Sequence, residues 1–206
     1  FYNAGRLYLI YGNHDMEKKK SGYSDTVCPS YFCTDAQCHK PLFPNLTFYE
    51  GLILENTNQD FRLYLTHGHQ ADFFNSTCWK LTRFLVRYLW KPLEHLGVSD
   101  PTSAAKNYKR KDKTEQKLSL YAKNHGLSLI TGHTHRPRLN PGDLSYINTG
   151  SCVHPRCITC IEIACGKMTL VKWALSTRAD GGLYVARSAL MECRPGDASF
   201  SFKDFS

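Results

Sequence analysis

Short apolar runs, each closed by polar residues, punctuate the chain. Leu7-Tyr8-Leu9-Ile10-Tyr11, Phe61-Arg62-Leu63-Tyr64-Leu65 and Leu127-Ser128-Leu129-Ile130 have the length and composition of strands. The full pattern predicts strands near 6–11, 46–54, 61–66, 127–131, 144–148, 156–164 and 168–175. The last two read as a hairpin turned by Cys165-Gly166-Lys167. Within it Ile158, Cys160 and Glu162 fall on one face, and Cys157, Thr159, Ile161 and Ile163 on the other. Two stretches instead have helical spacing. One runs from Phe73 to Leu96, with Pro92 as a kink or stop. The other runs from Ser103 through His125, with Gly126 as its stop. Strands alternating with helices indicate an α/β protein. After Ser176 the pattern weakens. Leu183-Tyr184-Val185 and Phe200-Ser201-Phe202 read equally as short strands or as a frayed end.

Three of the apolar runs end in histidine-bearing strings: Gly12-Asn13-His14-Asp15, Thr66-His67-Gly68-His69 and Gly132-His133-Thr134-His135. Loops at strand ends gather on one rim of an α/β sheet, where ligands bind. Imidazole nitrogens and an amide oxygen converging there are donors for a borderline divalent metal. A single histidine is more often a surface or satisfied core residue. Three such strings, each at a strand end, favour a site.

These strings, in this order, resemble the later motifs of the calcineurin-like metallophosphoesterases: GN-H-D/E, then H-G or G-H, then GH-x-H. The match runs from about Arg6 to Ser151. The resemblance implies a four-layer α-β-β-α sandwich with a helical cap insertion. It also implies that Asn13, His67 and His133 hold one of two divalent ions (Mn, Fe or Zn), with His135 on the other. His14 matches the histidine that contacts the phosphate and assists the leaving group. Asp15 and His69 would orient the ligands through hydrogen bonds, and Arg136 would meet substrate phosphate. Two metals about 3.5–4 Å apart grip the attacking and leaving oxygens of an in-line displacement. The implied activity is metal-dependent hydrolysis of a phosphomonoester, phosphodiester or pyrophosphate bond.

The family opens with D-x-H and G-D-x-x-D, the second supplying the carboxylate that bridges both metals. Neither string occurs in this chain. We therefore expect a domain whose first strands are missing, holding about one metal ion and weakly active or inactive alone. The expected organisation is a metallophosphoesterase domain over 1–175, including a helical cap at 72–126, followed by a tail at 176–206. A non-catalytic metal-binding scaffold is the alternative.

Composition narrows the substrate only slightly. The 206 residues are 42% hydrophobic and 21% charged, as in ordinary globular domains. No apolar run approaches the roughly 18–20 residues of a membrane span. Of the net charge of +8, most lies between residues 80 and 123, where eleven Lys/Arg face four Asp/Glu. Lys80, Arg83, Arg87 and Lys91 share one side of the first helix. Phe74, Trp79, Leu85, Leu89 and Trp90 make the rest apolar enough to bury more than one face. The functional reading is a cap that meets a phosphorylated small molecule or lipid-linked substrate, or an anionic membrane surface. The other reading is a packed helical pair with a solvated basic face. A helical insertion here is similar to the UDP-2,3-diacylglucosamine pyrophosphatase branch, although that branch commonly has arginine where His14 stands. A nucleic-acid partner would require a base-reading module, and none is evident.

Nine cysteines remain. Cys28, Cys33 and Cys38-His39 form one cluster, in a proline-marked stretch read as a loop and suited to zinc. Cys152, Cys157, Cys160 and Cys165 form another, but Cys157 and Cys160 face opposite sides of a predicted strand. Free thiols, and with them a cytoplasmic or peripheral-membrane setting, are the expectation.

Overall fold

The computed structural model describes residues 1–27, 29–56, 61–71 and 108–194. The predicted Phe73–Leu96 helix, most of the basic segment and Phe200–Phe202 lie outside them. A mixed α/β arrangement of several sheets and few helices emerges.

Its centre is a four-stranded sheet in the order β5 (Gly51–Asn56), β6 (Phe61–Thr66), β7 (Ser128–Thr131), β8 (Tyr146–Asn148). β5 and β6 are antiparallel, whereas β6, β7 and β8 run parallel. The crossover from β6 to β7 ends in a helix, Tyr108–Asn124, the longer of the two α-helices among the described residues. It stops as the sequence predicts. Gly126 adopts φ +61, the Leu127 N–H donates to Ala122 O at 2.8 Å, and the Gly126 N–H donates to Lys123 O at 3.2 Å. This is a Schellman cap, whose left-handed position glycine fills without a Cβ clash.

One face of the sheet receives this helix through Leu118 and Ala122 against Leu129 and Tyr146. The other face packs Leu63, Ile130 and Ile147 against Met168 and Leu170. Those two belong to β10 (Lys167–Thr177), the middle strand of an antiparallel sheet with β9 (Cys157–Ala164) and β11 (Leu183–Cys193). Helix, sheet and sheet thus stack in three layers. The expected sandwich has a fourth, helical layer, and no helix fills that role among the described residues. Leu175, Leu183 and Val185 of the second sheet are accordingly exposed.

The β9–β10 hairpin has the predicted turn, with Cys165 at φ +51 and Gly166 at φ +68, matching the right-handed twist of the flanking strands. β11 decides the ambiguous tail: Leu183–Cys193 pairs with β10 along its length, with a bulge opposite Leu170/Val171. Two small pairs complete the fold. β1 (Leu9–Ile10) runs parallel to β4 (Phe48–Tyr49), and β2 (Ser30–Cys33) forms a hairpin with β3 (Cys38–Pro41). The second pair replaces the loop expected around the first cysteine cluster. The short helix α1 is Tyr23–Val27, and the helix of the crossover is α2 hereafter. No helix of the described residues is long and apolar enough to cross a membrane.

Candidate functional site

Because β6, β7 and β8 are parallel, their C-terminal ends share one edge. His67, Gly132–His135 and Thr149–Ser151 follow those ends directly. The loops are stitched together: the Gly132 N–H donates to His67 O at 3.2 Å, and the Thr149 N–H donates to Thr131 O at 2.8 Å. Gly12–Asp15 follows β1 as a turn closed by the Asp15 N–H donating to Gly12 O at 3.0 Å.

Three of these strings, those of Gly12, His67 and His133, converge at His67. Its ring centroid lies 5.2 Å from that of His69 and 5.1 Å from that of His133. Gly12 abuts the same ring. A Cβ built there would lie 2.6 Å from His67 Nε2, so the GN turn needs a glycine to pass this close. Gly12→Ala is therefore expected to displace the imidazole and cost about 1–3 kcal/mol. Denaturant unfolding measures the loss, and an unchanged midpoint would show that the backbone moves aside freely.

Burial holds the His67 imidazole well below its ordinary value, to about 3, helped by the charges of His133, His69, His14 and His135. His135 is lowered too, by burial, His133, Lys111 and His14. His67 thus stays neutral near pH 7, the form in which imidazole ligates a metal. Its Nδ1 is buried without a hydrogen-bond partner among the described residues.

His133 and His135 both take left-handed backbone, at φ +60 and +58. Two such non-glycine residues in one loop store roughly 1–3 kcal/mol each and need support from their surroundings. A buried polar network supplies it. The Asn148 side chain is fully buried, and its Nδ2 faces Gly132 O at 2.7 Å, Thr134 Oγ1 and Tyr146 OH at 3.1 Å, and Thr131 Oγ1 at 3.3 Å. Its Oδ1 accepts from the Gly150 N–H at 2.8 Å. Thr134 Oγ1 donates to the buried Glu115 carboxylate of α2 at 2.8 Å. Asn148, Thr134 and Glu115 escaped sequence reasoning. Asn148 reads only as the last residue of the strand predicted at 144–148, and Glu115 only as one of four acidic residues in a basic segment.

The other expected site residues fall around this centre. His69 is buried beside His67. Asn13 is half-buried and His14 exposed in the turn, and Asp15 pairs with Lys18 at 3.0 Å. Arg136 Nη1 lies 2.6 Å from Asp112 and 3.7 Å from Glu115, so a phosphate would compete with two carboxylates for it. It stands in the wall of a cleft of about 600 Å³ between α2 and the loop after His135, shared with Ser119, Lys123 and Arg138.

The donor types suit a divalent metal, and so does the ring spacing. Two imidazoles bound at about 2.0–2.1 Å around a tetrahedral ion place their centroids about 5 Å apart. Among the described residues no group of three His, Cys, Asp or Glu is arranged to hold an ion. The site would take a metal only after its side chains rearrange.

The crystal structure of Chaetomium thermophilum Vps29 matches over 72% of this chain and 61% of that one, at 13% identity and a TM-score of 0.34. The likeness is weak. This chain therefore spans less than two thirds of that protein's length. No family model matches the sequence, and no curated protein matches it.

Proposed function

We propose that this chain is a histidine-lined metal-binding scaffold on the metallophosphoesterase plan, and that it is not a complete hydrolase by itself. The observation that carries this reading is the packing of His67 against both His69 and His133, with a neutral, buried and unpartnered His67 Nδ1. Asn13 and His135 stand as the remaining donors, and His14 at the open side of the site. The sequence contains neither D-x-H nor G-D-x-x-D, the carboxylates that a two-metal phosphoesterase needs to fix and bridge its ions. Phosphoryl transfer would have to recruit such carboxylates from elsewhere. Phosphorylated small molecules and lipid-linked nucleotides remain the substrate classes for such a completed site.

Calorimetric titration of the chain with Zn²⁺ or Mn²⁺ tests the proposal. The expected result is about one equivalent bound, lost in His67→Ala and in His133→Ala, without turnover of p-nitrophenyl phosphate. Unchanged binding in both variants would remove the ligand assignment. Metal-dependent turnover abolished by His14→Ala, with metal content intact, would restore the hydrolase reading and make His14 its acid.

A further inference from the structure

The β2–β3 hairpin carries chemistry that the histidine site does not use. Its register pairs Ser30 with Pro41, Tyr31 with Lys40, Phe32 with His39 and Cys33 with Cys38. The Leu42 N–H donates to Pro29 O at 3.2 Å. Hydrogen-bonded and non-hydrogen-bonded pairs alternate along an antiparallel ladder. Counting from Pro29 and Leu42 makes Cys33 and Cys38 a hydrogen-bonded pair, the last before the turn. The Cα atoms of such pairs lie about 5.5 Å apart, inside the roughly 4.4–6.8 Å span that a disulfide bridges. Opposed residues also project from the same face of the ribbon. The turn is held by Gln37, at φ +51, whose Nε2 donates to Thr34 O at 2.6 Å.

Both thiols are free, Cys38 exposed and Cys33 partly so. The Ala36 backbone N–H, aided by Lys40 and the Asp35 N–H, holds the Cys33 thiol below its ordinary value against a smaller effect of burial. Burial moves Cys160 and Cys193 the other way. Zinc, to which the sequence of this cluster is also suited, loses support from the same geometry. His39 is the neighbour of Cys38 along the strand and so faces the other side, where its ring lies 5.5 Å from that of Phe32.

We propose that Cys33 and Cys38 form a reversible dithiol–disulfide couple that exchanges with small disulfides, Cys33 attacking and Cys38 resolving. The Cys33 thiolate attacks one sulfur of the small disulfide. The S–S bond breaks, a mixed disulfide forms on Cys33, and one small thiolate leaves. Cys38 then loses its proton to solvent and attacks Cys33 Sγ, expelling the second small thiolate. Two protein thiols are oxidised and one small disulfide is reduced to two thiols. The closed loop is short, so the bridge adds little stability, and an exposed bridge at a hairpin end is readily reduced again.

Oxidised glutathione, applied to the reduced full chain, tests this. The expected product has lost two hydrogens, and dithiothreitol reverses the change. Chymotryptic cleavage after Tyr31 or Phe32 separates Cys28 from the pair, and cleavage before Asp35 separates Cys33 from Cys38, so the bridge can be mapped. Cys38→Ser should accumulate a glutathione adduct on Cys33, formed faster than any adduct on Cys38 in Cys33→Ser. A bridge mapped to any other pair, full retention of both thiols, or equal adduct rates in the two variants would overturn the assignment.

Discussion

Between pH 6.5 and about 3 the folded chain is expected to lose roughly 3–6 kcal/mol of stability through His67 alone. In the fold this imidazole is held neutral by burial and by four neighbouring histidines. In the unfolded chain it takes a proton near its ordinary value. The sign follows from proton binding. Below pH 6.5 the unfolded state binds one more proton than the native state, so stability rises with pH there and levels off above it. The slope is about 1.4 kcal/mol per pH unit inside the window. Denaturant unfolding at several pH values, for the natural chain and for His67→Gln, measures it. The glutamine variant should lose one proton's worth of slope. Identical slopes would mean that His67 is protonated in the fold, and the packed-imidazole site would fail with it.

Asn148→Ala is expected to cost roughly 3 kcal/mol, because several buried polar groups lose their shared partner at once. The Gly132 carbonyl and the Gly150 N–H each sit 2.7–2.8 Å from the Asn148 amide. The effect should extend beyond stability. With the link to Gly132 and Thr134 cut, the left-handed backbone of His133 and His135 loses its support. Their ring proton resonances should then move or broaden, while those of His39 and His154 stay in place. Stability loss without any change at His133 and His135 would reduce Asn148 to a packing residue.

Much of the strand content was legible because short apolar runs between turn residues have few other outcomes. The segments around 61–66, 127–131, 144–148, 156–164 and 168–175 appear close to their predicted limits. Gly126 was readable as a helix stop, since a left-handed cap selects glycine. Around the first cysteine cluster the reading differed. Prolines suggested a loop, yet Pro41 occupies a non-hydrogen-bonded position of β3, where its missing N–H costs nothing. The tail at 183–193 also hid its strand. Residues of an edge strand exposed on both faces carry no alternation to read.

The sequence by itself determined which residues could meet at a site: three histidine strings, each placed by an apolar run at a strand end. That information is local, held in spacing and residue type. Only the tertiary structure decided how they meet. Parallel pairing of β6, β7 and β8 brings the strings to one edge, and the small size of Gly12 lets a second element touch His67. The buried link from Asn148 through Thr134 to Glu115 joins residues far apart in the chain. Such a network has no local signature. A buried asparagine and an exposed one read alike until the fold removes water from one of them, and the cost of leaving it unpaired then selects its partners.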